Sequence, residues 1–158
     1  MGKSLFIAAT GQHVGKTTTT LGIVAALKSK GIAKLGYCKP MGQELIDIDE
    51  LRVDKDAFLF SKIMGFELAA HIHSPVTLHR GVTTSYIDDP SQFNFVERID
   101  QAADYLHREC DITVYEGTGH PGVGSVVDLS NAQVARRVGA KVVLIAKAGI
   151  GNSLDRID

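Results

Sequence analysis

The sequence predicts an α/β fold: a mainly parallel sheet with helices on both faces. Three observations carry this. Short apolar runs alternate with longer stretches of helical composition along the chain. The run at 5–9 is continuously apolar rather than alternating, as in a strand covered on both sides, and 141–146 reads as a final apolar strand. Residues 92–109 carry one apolar stripe, so at least one long helix packs its face on a sheet, and right-handed crossovers then distribute helices over both faces.

The elements follow in order. Leu5, Phe6, Ile7, Ala8 and Ala9 form the first strand, bounded by Thr10 and Gly11. Residues 16–30 suit a helix with a basic end and Gly31 as its stop. The threonines at 17–20 are poor helix formers, so another role must justify them. Residues 34–38 form a second strand, closed by Lys39 and Pro40. Residues 41–54 show no period and read as a functional loop. A short helix at 56–64 stops at Gly65, and 66–90 is read only as a short helix or strand pair. In 92–109, Phe95, Val96, Ile99, Ala102, Ala103 and Leu106 make the stripe, with Glu97, Asp100, Asp104 and Arg108 opposite. Residues 111–115 form the next strand, followed by a Gly-rich loop at 116–125. Asn131 is the expected cap of a helix to Val138, ended by Gly139, before the last strand. Asn152 or Ser153 is the expected start of another helix.

With 158 residues the chain suits one domain spanning 1–158. A hydrophobic share of 44% and a charged share of 22% are ordinary for a globular protein. A net charge of -1, with no basic run, argues against a nucleic-acid partner. No stretch approaches the ~20 apolar residues of a membrane span, and the N-terminal apolar run is too short for a signal peptide. Cys38 and Cys110 sit in no metal or CxxC spacing and read as reduced structural thiols, which fits a cytoplasmic protein.

The strongest motif lies between the first strand and the first helix: Thr10, Gly11, Gln12, His13, Val14, Gly15, Lys16, Thr17. A phosphate tail needs inward-pointing N–H groups, a cation at its β and γ oxygens and a hydroxyl on its Mg²⁺. The glycines, Lys16 and Thr17 meet those needs, the helix N-terminus adds positive charge, and Thr18 is in reach. This is a P-loop for ATP with Mg²⁺, formed by residues 11–18. It departs from the usual pattern, since Thr10 stands where the first glycine falls.

Three further stretches, GYCKP, DKDA and VYEGTGHPGVGSVVDLSNAQVA, join AATGQHVGKTTT in resembling one P-loop family. It is the dethiobiotin synthetase and cobyrinic acid a,c-diamide synthase group, and the resemblance covers about 4–155, most weakly at 66–92. In that group ATP phosphorylates a carboxylate or carbamate, and an amine or ammonia attacks the product. The resemblance implies that Lys16 serves the phosphates, that Thr17, Asp56 and Glu116 hold the metal, and that Lys39 neutralises the transferring phosphate and the substrate carboxylate. Lys16, Lys39 and Glu116 are thus the catalytic candidates. Mg²⁺ chemistry agrees, since that ion takes one or two carboxylates plus phosphate oxygens, and open α/β sheets bind ligands at the C-terminal ends of strands.

Plainer readings stand beside these. Lys39 has a lesser reading as a solvated charge before a turn, and Asp56 one as an ordinary first-turn charge with Asp54 as cap. Met41, Gly42 and Gln43 replace the family's serine-containing stretch, Ala9 stands at the family loop's first glycine, and Gly11 stands where the partition ATPases carry a lysine. Neither cysteine lies in a Gly-flanked elbow, so amide transfer would need another polypeptide or free ammonia. The family's further helix, strand and adenine-contacting segment would follow Gly149, Ile150 and Gly151.

His71 and His73 would share a face on a strand, but no third metal ligand is visible, and His79 adds none. His13 is placed to cover the nucleotide. His120 either orients substrate or shapes a turn. Arg80, Arg136 and Arg137 are anion candidates, the last two more plainly a solvated face. Two functions follow: a ligase-type activator of a small-molecule carboxylate, carbamate or amine, and a nucleotide-sensing domain without that chemistry. The resemblance also implies a homodimer, because substrate sites in that family commonly lie at a subunit interface.

Overall fold

A computed structural model describes residues 2–147, 149 and 151. The helix expected from Asn152 or Ser153 lies outside the described residues.

The central sheet contains β1 (Lys3–Ala9), β2 (Leu35–Cys38), β7 (Ile112–Glu116) and β8 (Lys141–Ile145) in the order β2-β7-β1-β8, all parallel. Registers run Lys3↔Ile112 to Ile7↔Glu116, and Leu5↔Lys141 to Ala9↔Ile145. Helices cover both faces, as the sequence predicts. Phe6, Ala8, Cys38 and Tyr115 face one way, onto α5 (Phe95–Glu109) and α6 (Asn131–Arg137). Ile7, Tyr37 and Val114 face the other, onto Val24 of α1 (Lys16–Ser29) and Ala57 and Phe60 of α2 (Lys55–Met64). Tyr37 and Phe60 stack with ring centroids 4.0 Å apart. This alternation along each strand is what the continuous apolar runs encode.

The last strand differs. β8 is an edge among the described residues, and Val142, Val143 and Leu144 stay exposed on its two faces. Its apolar pattern therefore does not report burial within the described residues.

Residues 41–54 are not a plain loop. They form β3 (Met41–Gly42) and an antiparallel hairpin of β4 (Leu45–Ile48) and β5 (Leu51–Asp54). The ambiguous 66–90 segment holds α3 (Ala70–His73), β6 (Val76–Thr77), which pairs in parallel with β3, and α4 (Val82–Asp88). α5 starts at Phe95, not at 92, because Asp89 caps a separate 3₁₀ turn at Pro90–Gln92. The cap of α6 is Ser130, not Asn131. Ser130 and Gln133 form a reciprocal capping box, which releases Asn131 to face inward.

His71 and His73 lie on a helix, so they do not share a face. His73 is buried, stacks on Phe66 at 4.2 Å, and has its pKa pushed down by burial to about 4. Both cysteines are free thiols. Among the described residues no helix is long and apolar enough to cross a membrane.

Candidate functional site

The C-terminal ends of β1, β2 and β7 converge with the start of α2 on one cleft of about 590 Å³. The phosphate loop forms one wall. Gly15 holds φ at 91°, a left-handed conformation that a residue with Cβ adopts only under strain, and this turns the chain into α1. The N–H groups of Lys16, Thr17 and Thr18 have no intrahelical acceptor by helix geometry; Thr19 is the first that does, donating to Gly15 O at 2.9 Å. Gln12, His13, Gly15, Lys16, Thr17 and Thr18 line the cleft; Gly11 and Val14 belong to the loop but not to the lining.

The threonine run now has its reason. Thr17 donates its hydroxyl to Glu116 Oε1 at 3.1 Å, and Thr20, fully buried, donates to Lys16 O at 2.9 Å. Lys16 Nζ reaches across to Gly119 O at 3.0 Å, tying the loop after β7 to the phosphate loop. Burial, helped by nearby Lys39, lowers the Lys16 pKa.

The opposite wall carries the charges. Lys39, at the end of β2, is only 4% exposed and Glu116, at the end of β7, is 0%. Lys39 Nζ donates to Asp56 Oδ2 at 2.7 Å and to Glu116 Oε1 at 3.2 Å. Lys39 is therefore not a solvated charge, and Asp56 is more than a first-turn charge. The plainer role expected for Asp54 also holds: its Oδ1 accepts from Asp56 N at 2.9 Å and caps α2. Burial would lower the Lys39 pKa, but Glu116, Asp56 and Asp54 together raise it. Glu116 is raised by burial and by Asp56, against the pull of Lys39.

Mg²⁺ fits this donor set in kind. Glu116 Oε2 is buried without a hydrogen-bond partner, an orphaned acceptor of the sort a hard cation or a water satisfies. Thr17, Asp56 and Glu116 supply oxygens from three elements. Among the described residues no group of three acidic, His or Cys side chains could hold a metal by itself, so an ion here would depend on phosphate oxygens as well. Both carboxylates are engaged by Lys39, so a cation would compete with that ammonium.

Sequence reasoning missed Gln43, Glu44, Asp54, Lys55 and Thr118, all of which line the cleft. Thr118 donates its hydroxyl to Met41 O, and Asn131 holds the same loop by accepting from Thr118 N and donating to Thr118 O and His120 O. His120 does not line the cleft; its Nδ1 accepts from Gly122 N at 3.2 Å and shapes the turn. Arg136 and Arg137 are exposed at a separate groove, with Arg137 paired to Asp100 at 2.8 Å.

The family described as an AAA domain matches residues 3–157. The chain is 29% identical over 149 residues to a phosphate acetyltransferase from Acinetobacter baylyi, covering 94% of this chain and 19% of that protein. It is 24% identical over 163 residues to the ATP-dependent dethiobiotin synthetase BioD from Clostridium kluyveri, covering 96% of this chain and 64% of that one. It thus spans about a fifth of the former and under two thirds of the latter. Among solved structures, the signal recognition particle receptor FtsY from Elizabethkingia anophelis, in complex with GDP, superposes with a TM-score of 0.60 at 13% identity over 99% of this chain and 44% of that one. That likeness establishes a P-loop NTPase fold. With a family match running nearly end to end, the chain belongs to this AAA domain family of P-loop proteins, the group that contains the dethiobiotin synthetases.

Proposed function

We propose that this domain binds ATP with Mg²⁺ on the phosphate loop and transfers the γ-phosphate to a carboxylate or carbamate of a small molecule. The observation that carries the reading is Lys39, buried between Asp56 and Glu116 in the cleft that Lys16 lines. A nucleotide switch needs cations for the phosphates alone. A second buried lysine suits a second anion, because two anions brought together repel unless positive charge lies between them.

In this reading Lys16 and the α1 N-terminus hold the phosphates, and Thr17, Asp56 and Glu116 offer oxygens to the metal. Mg²⁺, when bound, supplies positive charge to the phosphate oxygens. Lys39 orients the acceptor's oxyanion. That oxygen forms the new bond to the γ-phosphorus, the bond to the bridging oxygen breaks, and ADP leaves with the electron pair. The homodimer belongs to the same reading, and light scattering showing only monomer at roughly tens of micromolar would remove it.

One observation favours a second reading. The match covers 19% of the phosphate acetyltransferase, and a domain that is so small a share of an enzyme supports reading this chain as an accessory nucleotide-sensing domain. A panel of small carboxylic acids with hydroxylamine separates the two. Acid-dependent ADP release with hydroxamate, lost in Lys39→Ala, supports transfer. ADP release indifferent to acid and to Lys39→Ala supports sensing.

A further inference from the structure

The buried carboxylate of Asp54 has a second engagement beyond its helix cap. The side chain is 2% exposed, yet it lines the cleft. While Oδ1 accepts from Asp56 N at 2.9 Å, Oδ2 accepts from Gln43 N at 3.0 Å and from Glu44 N at 3.2 Å. Its own N–H donates to Ser74 Oγ at 3.0 Å, which anchors it to the segment leading into β6. One carboxylate therefore holds the start of the helix that carries Asp56 and the turn that carries Gln43 and Glu44, two residues of the cleft wall.

A second observation, independent of hydrogen bonding, points the same way. A Cβ on Gly42 would stand 2.6 Å from Asp54 Cβ and 2.9 Å from Oδ2. Only glycine lets the strand approach the carboxylate closely enough for both neighbouring N–H groups to reach one oxygen. A helix cap alone needs one oxygen and no such approach.

We infer that Asp54 is a positioning residue that couples the candidate metal carboxylate, Asp56, to the Gln43–Glu44 wall, so that occupancy at Asp56 is felt by the wall. The inference rests on the reading that Mg²⁺ and nucleotide bind at Asp56. Asp54 acts through the backbone of Asp56, Gln43 and Glu44, whose N–H groups its carboxylate holds.

The test separates the two oxygens. Asp54→Ser keeps one hydroxyl to cap α2 but cannot hold Gln43 N and Glu44 N as well. The measurements are ADP affinity with and without Mg²⁺, and amide hydrogen exchange at Gln43 and Glu44 in the same states. In the wild type, Mg²⁺ added to ADP slows exchange at both amides. In Asp54→Ala the Mg²⁺-dependent gain in affinity falls by about ten-fold, the lower end for residues that support metal ligands. Asp54→Ser recovers most of that gain, while Gln43 and Glu44 exchange fast and ignore Mg²⁺. Gly42→Ala, which removes no polar group, gives the same uncoupled amides and covers the case in which the Asp54 variants do not fold. Wild-type protein that binds ADP while its Gln43 and Glu44 amides ignore Mg²⁺, or coupling retained in Asp54→Ser or in Gly42→Ala, overturns the inference alone. Absence of ADP binding in the wild type overturns the nucleotide reading beneath it.

Discussion

Of the three lysines that line the cleft, Lys16 and Lys39 are held in opposite ways. Lys16 stands on a continuous motif and is half-buried; its hydrogen-bond partner is a backbone carbonyl, Gly119 O. Lys39 stands at the end of a strand and is nearly fully buried; its partners are carboxylates from two other elements. The phosphate wall is built from backbone geometry over ten residues or so, and the opposite wall from side-chain charges gathered across the fold. The first can lose its cation and keep its shape. The second cannot, because its charges are folded into the core.

The largest expected effect sharpens that contrast. Lys39→Ala leaves Glu116 and Asp56 without their cation and should cost about 3–5 kcal/mol in urea unfolding of the nucleotide-free protein. Adding Glu116→Gln should recover part of the loss by removing the buried charge. Full stability in Lys39→Ala would show that the charges are better hydrated than their burial implies.

Next is the pH arm, read outside the cleft. His73 has a folded pKa of about 4, below its ordinary value of 6.5, so its contribution is present above pH 6.5 and is lost as pH falls through 4. The sign follows because the unfolded ring takes up the proton first. Stability should decline over that window by on the order of 1–3 kcal/mol more than in His73→Phe, which keeps a ring beside Phe66 and cannot charge. Parallel pH curves for the two proteins would contradict it.

Lys16→Ala should cost about 1.5 kcal/mol, the low end for a hydrogen bond made by a charged group, because its removal leaves no buried charge unpaired. A loss as large as that of Lys39→Ala would break the comparison. The smallest effect belongs to the exposed pair: Arg137→Ala should cost less than about 0.5–1 kcal/mol and less still in high salt.

The same contrast decides what was legible beforehand. Strand, phosphate loop and helix at 5–30 lie in one stretch, and their residue types carry their own geometry, so both the fold class and Lys16 could be read directly. Glu116 was legible because an acid followed by glycines closes an apolar strand. Asp54 was legible as a helix cap, but its hold on Gln43 and Glu44 was not, since that arises from contacts between β3, the β4–β5 hairpin and α2, and a two-residue strand such as Met41–Gly42 is too short to show any period. Asn131 reads as a cap because it opens a helix, but its neighbour Ser130 is the cap, and nothing local signals that Asn131 turns inward to the loop after β7.

Nucleotide binding on the phosphate wall is read out by calorimetric titration of ADP with Mg²⁺ into wild type and Lys16→Ala. Saturable one-site binding is expected in the wild type and at least about ten-fold weaker binding in the variant, the loss of one charge-assisted phosphate contact. Equal affinity in the two proteins would contradict it.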